Sequence, residues 1–312
     1  MLWVGFIAFV LVMLALDLFV FGANKAHKVS IKEAASWSFA WFALAICFNA
    51  GLWWYMQGTV GAEVADRKAL EFLTGYLIEK SLSVDNVFVF LLIFTAFQVP
   101  AEYQRRVLIY GVLGAIVLRI IMISLGSWVV QEFKWVLYLF GAFLLITGIK
   151  MMIPSDDKPD MEKNWVVKLA RKYLRITPNY HGEKFIVRNN GVLSFTPLFL
   201  VLILIEVTDV VFAVDSIPAI FAITTDPFIV ATSNIFAIMG LRALYFLLAD
   251  MAERFHLLNY GLAVVLVFIG TKMLIMPWFH IPVAISLAVV VSVIALSVVA
   301  SLWVTRKAVT AK

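Results

Sequence analysis

Charge is scarce in this sequence. Only 14% of its 312 residues are Asp, Glu, Lys or Arg, while 63% are hydrophobic; soluble domains average roughly 25% and 45–50%. Too little polar surface exists to coat a water-soluble globule, and chain disorder is excluded by the same numbers. Cysteine is scarcer still. Cys47 stands alone, which excludes an intrachain disulfide and a disulfide-stapled scaffold. Histidine is limited to His27, His181, His256 and His280, all in connections or at the ends of apolar stretches, so soft metal ligands are few and no hydrolase triad is available. There is no Walker A loop or other obvious nucleotide motif, which removes a built-in ATPase. An enzyme is the poorest reading.

Long apolar stretches are what the chain has instead. Nine are near the roughly 20 residues needed to cross a bilayer: about 2–21, 35–56, 71–98, 107–130, 135–153, 192–223, 228–249, 257–276 and 282–304. The expected architecture is an all-α polytopic membrane protein forming one transmembrane domain over 1–312. No basic residue precedes the first stretch and no small-residue cleavage site follows it, so it reads as a retained span and not a secretory signal. With the N-terminus outside, seventeen Lys and Arg fall on the inner face and three on the outer face. That asymmetry predicts N-out, C-in.

The segment 154–191 is the one long connection, with eight basic and five acidic residues. Residues 165–174 within it are amphipathic at helical spacing, which predicts a helix lying against anionic cytoplasmic headgroups, with a regulatory or partner-binding role as the lesser alternative.

Two segments echo each other. Glu79–Asn86 in the third stretch and Asp209–Ser216 in the sixth both read acid, five residues, acid, then an amide or hydroxyl. Arg119 answers Arg242, and Gly148-Ile149-Lys150-Met151 answers Gly270-Thr271-Lys272-Met273. Repeat one covers about 71–153 and repeat two about 192–276. Three helices per copy force the copies to enter from opposite sides, the inverted plan of many secondary transporters. Spans 1, 2 and 9, about 2–56 and 282–304, stand outside the repeat.

Glu79, Asp85, Glu206, Asp209 and Asp215 all fall within apolar spans. Each ionised carboxylate at mid-bilayer costs about 2.5–3.5 kcal/mol, so these acids must be paired, protonated or holding a cation. On a regular helix Glu79, Ser83 and Asn86 share a face, whereas Asp85 points elsewhere. Antiparallel packing of the two motifs would put Glu79 level with Asp215 and Asp85 level with Asp209. Pro218 has no N–H to give the Val214 carbonyl, which predicts distortion and a further oxygen donor beside Asp215. The expected ligands are Glu79, Asp85, Asn86, Asp209, Asp215 and Ser216, supported by Ser83, Glu206, Thr208, Arg119 and Arg242. Such hard oxygen donors suit Mn²⁺, Mg²⁺ or Ca²⁺; Met122, Met239 and Met273 are packing residues more readily than soft ligands. Ion pairing alone could neutralise the acids, but Lys80, Arg119 and Arg242 are too few for five carboxylates. Lys150 and Lys272 are expected to snorkel from span ends.

The runs Phe72–Asn86 and Ile205–Phe221 resemble the signature of the TerC family of integral membrane proteins, most closely its Alx-like branch. The likeness extends to Asn49–Tyr55 and Tyr260–Val264. It implies a bacterial inner-membrane protein related to LysE-type transporters, with Mn²⁺ export, alkaline-responsive expression and tellurium resistance as family associations. Carried over by position, the family's intramembrane acids are Glu79, Asp85, Asp209 and Asp215. The resulting expectation is a secondary Mn²⁺ exporter coupled to protons, with metal as cargo and neither cofactor nor nucleic acid involved. The competing expectation is a membrane scaffold or complex subunit in metal or tellurium stress without transport of its own. Export of a tellurium oxyanion would need a more basic pocket.

Overall fold

A computed structural model describes residues 2–22, 31–153, 165–189, 192–249, 257–279 and 281–310. Its elements run α1 (Leu2–Gly22), α2 (Ile31–Val60), α3 (Ala62–Ala96), α4 (Ala101–Glu132), α5 (Val136–Met151), α6 (Trp165–Tyr173), β1 (Ile186–Asn189), β2 (Val192–Phe195), α7 (Pro197–Phe221), α8 (Pro227–Met239), α9 (Leu241–Ala249), α10 (Leu258–Ile275) and α11 (Val283–Thr310). Among the described residues, five helical segments are long and apolar enough to cross a membrane, beginning at Lys32, Ala101, Pro197, Pro227 and Val283, the fourth being α8 taken together with α9. Shorter apolar helices cover Trp3–Ala15, Val136–Met151 and Tyr260–Ile275. The chain is therefore an all-α membrane protein in its architecture, with one small hairpin added. Its outside matches that assignment. Val117, Ile121, Leu125 and Trp128 form an exposed stripe along α4, at a spacing that keeps them on one side of the helix. Such a surface suits lipid and not water.

Local sequence explains the boundaries. Gly61 adopts φ +93° and alone separates α2 from α3, a conformation that side-chain-bearing residues rarely tolerate. Asp226 caps α8 by accepting from the Phe228 N–H at 3.0 Å, with Pro227 in the first turn, where its missing N–H costs nothing. The α7 helix continues past Pro218 to Phe221, so the proline is absorbed within the helix without ending it.

Three elements differ from the sequence expectation. The sixth apolar stretch starts as a strand: residues 192–195 pair antiparallel with 186–189, from Ile186↔Phe195 to Asn189↔Val192, and α7 begins only at Pro197. The seventh stretch is two helices, α8 and α9, interrupted at Gly240. The apolar side of α6 does not lie on headgroups. Val166, Val167 and Ala170 are buried in a cluster with Phe94, Val99, Leu198 and Val201, so that side is used in packing on the protein.

Six helices form the centre. The α3 helix packs on α7, α4 on both α7 and α8, and α5 on α10. The α8 helix is buried from Ile229 to Met239; Phe6 and Phe9 of α1 and Phe48 of α2 cover its Phe236, with Phe48 and Phe236 centroids 4.7 Å apart. The α11 helix lies against α10 and α3. Helices α5 and α10 meet backbone to backbone. A methyl on Gly270 would stand 2.6 Å from the Leu145 nitrogen, and one on Gly148 2.8 Å from the Ala263 carbonyl oxygen. Small residues permit that approach, the usual route to close helix pairing in lipid.

Candidate functional site: a buried carboxylate–arginine cluster

The cluster is built on α3, α4, α7 and α8. Successive helical positions place Glu79, Ser83 and Asn86 on one side of α3, and all three are buried. Opposite them stand Asp209 and Ser216 of α7, also buried. Arg119 of α4 enters between the two helices, 1% exposed. Its guanidinium donates to a Glu79 carboxylate oxygen, to Ser216 Oγ at 2.9 Å and to Asn234 Oδ1 of α8 at 2.7 Å. Its other terminal nitrogen donates to Asp209 Oδ1 at 3.4 Å. A planar fork with several donors suits this task better than a lysine would.

The register between α3 and α7 agrees with the antiparallel arrangement read from the motifs. Glu79 reaches the level of Ser216, and Asn86 Nδ2 approaches Asp209 Oδ1 at 3.5 Å. Asp215 lies at the same end as Glu79 but turns toward α5, where Thr147 hydrogen-bonds its carboxyl. A cavity of about 40 Å³ opens between these helices, bordered by Glu79, Asn86, Arg119, Asp215, Ser216 and Met151. That volume exceeds what one water-sized occupant requires.

Arg119 leaves much of the oxygen lining unused. Glu79 Oε2, Asn86 Oδ1, Asp209 Oδ2 and Asp215 Oδ1 are buried atoms with no hydrogen-bond partner. Unsatisfied groups at such burial are costly and rare, and they call for an explanation. Among the described residues, however, no three of His, Cys, Asp and Glu converge closely enough to hold a metal ion. Arg119 occupies the space between the carboxylates.

The other expected site residues are distributed as follows. Asp85 belongs to α3, and its side chain lies outside the described residues. The Thr208 hydroxyl donates to the Leu204 carbonyl at 2.6 Å and is spent within its own helix; Ser83 does the same toward Glu79 O at 2.7 Å. Glu206 presses its carboxyl against α4 at Gly114, where an added methyl would fall 2.1 Å from Oε1. Its other oxygen is buried without a hydrogen-bond partner. Arg242 borders a separate pocket with Arg105, Trp37 and Trp41. Lys80 points away from Glu79, donating to the Ala237 carbonyl at 3.4 Å beside the α8–α9 interruption. Lys272 is buried, not snorkelled, and borders a cleft at the Glu71–Asp226 end. Met239 and Met273 lie in apolar clusters, and Met122 packs against another.

Residues 64–309 match the Integral membrane protein TerC family. The chain belongs to the TerC family. It is 58% identical over 304 residues to proteins of Escherichia coli (strain K12) and Shigella flexneri, each named "Putative membrane-bound redox modulator Alx". Those matches cover 97% of this chain and 95% of each relative. An uncharacterized membrane protein of Myxococcus xanthus is 50% identical over 309 residues, covering 99% of this chain and 94% of its own. No solved structure matches.

Two members of the cluster escaped the sequence reading of this TerC protein. Asn234 is fully buried in α8 and takes a charged hydrogen bond; the only available signal was an amide inside an apolar run. Thr147 gave less, because a threonine in a membrane helix ordinarily bonds its own backbone.

Proposed function

We propose that this protein is a secondary transporter that exports Mn²⁺, or a hard divalent cation like it, from the cytoplasm in exchange for protons. The observation that carries this reading is the set of buried, partnerless carboxylate and amide oxygens around Arg119. Their chemistry is that of a Mn²⁺, Mg²⁺ or Ca²⁺ shell. In this conformation Arg119 serves as the internal counter-charge. Cargo entry requires the guanidinium to withdraw from Glu79 and Asp209, so that a divalent ion, which matches two carboxylates where Arg119 matches one, takes its place.

The proposed topology has nine crossings, N-out and C-in, in the bacterial inner membrane, with α8 and α9 together forming one crossing. An inverted repeat of three helices is supported by reciprocal packing: α3 lies on α8 as α4 lies on α7, and α5 pairs with α10. Substrate sites of such transporters lie at the midplane between repeats, and Arg119 joins Glu79 of one proposed repeat to Asp209 of the other. The redox role in the relatives' names would, in this chain, follow from the metal moved, because a single cysteine offers no thiol pair.

A scaffold without transport is the second reading. It draws on Arg119, which pairs with both Glu79 and Asp209. Mn²⁺ flux in proteoliposomes decides between them. Asp209→Asn and Asp215→Asn are each expected to lose most of the parent's flux while remaining folded. Purified parent protein that moves no Mn²⁺, or variants that move it as well as the parent, would leave the scaffold reading standing.

A further inference from the structure

The α6 helix has three distinct sides. At 100° per residue, Val166, Val167 and Ala170 group together; they are the side packed on the protein, with Val167 only 2% exposed. Trp165, Leu169 and Tyr173 form a second stripe that faces outward, at 67%, 49% and 71% exposure. Lys168, Arg171 and Lys172 make up the third, all exposed. Lys172 Nζ lies 5.4 Å from the Tyr173 ring centroid, so the basic and aromatic stripes adjoin. No acid interrupts residues 165–175. Glu183, farther along this connection, is taken by Arg106 at 3.2 Å.

An exposed stripe of Trp, Leu and Tyr beside three cations has the composition of the bilayer interface, where amphipathic rings settle at headgroup level and Lys or Arg meets phosphate. Position agrees. The α6 helix packs on α7 and shares its apolar cluster with Leu198, Leu200 and Val201, the opening residues of that membrane-crossing helix. Its outward side is therefore held at the level where α7 enters lipid. The outward side is not the one a simple amphipathic helix would offer to a membrane, because the protein has already used that one.

We propose that the outward side of α6 docks on the headgroups of anionic phospholipid, with Trp165, Leu169 and Tyr173 entering the interface and Lys168, Arg171 and Lys172 binding phosphate. This stands apart from the cargo assigned to the carboxylate cluster, and neither fails with the other. The test uses the scarcity of thiols. In full-length Cys47→Ser protein, Leu169→Cys carries an environment-sensitive fluorophore, and the labelled protein is reconstituted in phosphatidylcholine with or without phosphatidylglycerol. Trp165→Cys provides a second, more exposed labelling position should the first variant fold poorly. Blue-shifted emission and quenching by nitroxide-bearing lipid are expected with phosphatidylglycerol, and the combined variant Lys168→Gln, Arg171→Gln, Lys172→Gln should lose that lipid dependence. A label quenched by aqueous iodide in both bilayers would leave this face in water and overturn the proposal. Lipid quenching that ignores both phosphatidylglycerol and the three cations would overturn its anionic part.

Discussion

Arg119 and Arg242 occupy corresponding places in the two halves of the proposed repeat, yet the structure uses them differently. Arg119 sits within the unbroken α4 helix, and its side chain reaches four polar partners on α3, α7 and α8. Arg242 follows the interruption at Gly240 and borders a pocket against α2 with Arg105 and two tryptophans. The break re-aims the chain. Equivalent residues in a repeat need not share a role when the backbone beneath one of them has changed course, and one inward arginine is enough to bridge one carboxylate from each half.

The strongest way to break that comparison is to remove each arginine in turn. Arg119→Met leaves Glu79 and Asp209 buried without their counter-charge, a loss of about 3–5 kcal/mol measurable by unfolding in detergent. Added Mn²⁺ should restore part of it, since a divalent ion can take the vacated place. Arg242→Met should show no such rescue; equal rescue of both would erase the distinction. Next in size is Asn234→Leu. It deprives Arg119 of a charged hydrogen bond worth about 1.5–3 kcal/mol, and an unchanged melting temperature would show that Asn234 is incidental to the cluster.

Smaller effects sharpen the picture at its edges. Gly114→Ala pushes the Glu206 carboxyl aside at a cost of about 1 kcal/mol, the lower end of overpacking because the obstructing group is a flexible tip. The penalty should vanish in a Glu206→Ala background. Tyr180→Phe removes a hydrogen bond to the Phe97 carbonyl, 2.7 Å long, at the end of α3. Burial raises the Tyr180 phenol above its ordinary range, which keeps the donor in place. That change should cost about 0.5–1 kcal/mol, read by hydrogen exchange confined to the α3–α4 turn. Transmission of the loss to the carboxylate cluster would mean that the two regions are coupled more tightly than their separation suggests.

Much of this was legible in the residues themselves. Helical periodicity alone grouped Glu79, Ser83 and Asn86, and the two echoing motifs foretold the antiparallel register of α3 on α7. The membrane architecture followed from long apolar stretches with few charges. What spacing could not supply was azimuth relative to neighbours. Glu79 and Lys80 are adjacent in the chain, but 100° of helical turn sends one into the cluster and the other to the α8–α9 interruption. Hydropathy was equally blind to that interruption, because Gly240 lies amid apolar residues on both sides. It also overran the start of α7, since the strand Val192–Phe195 is as apolar as the helix it precedes. The second side of α6 was readable in principle; only packing could show which side the protein kept for itself.

The contact between α5 and α10 has a mechanical corollary. Where main chain rests on main chain at Gly141, Gly148 and Gly270, no layer of pliable side chains exists to absorb sliding or separation. These two rods must travel as a single stiff beam. A rearrangement that freed the carboxylates from Arg119 would therefore yield elsewhere, as along the face of α4 at Gly114, where the obstacle is the flexible end of the Glu206 side chain.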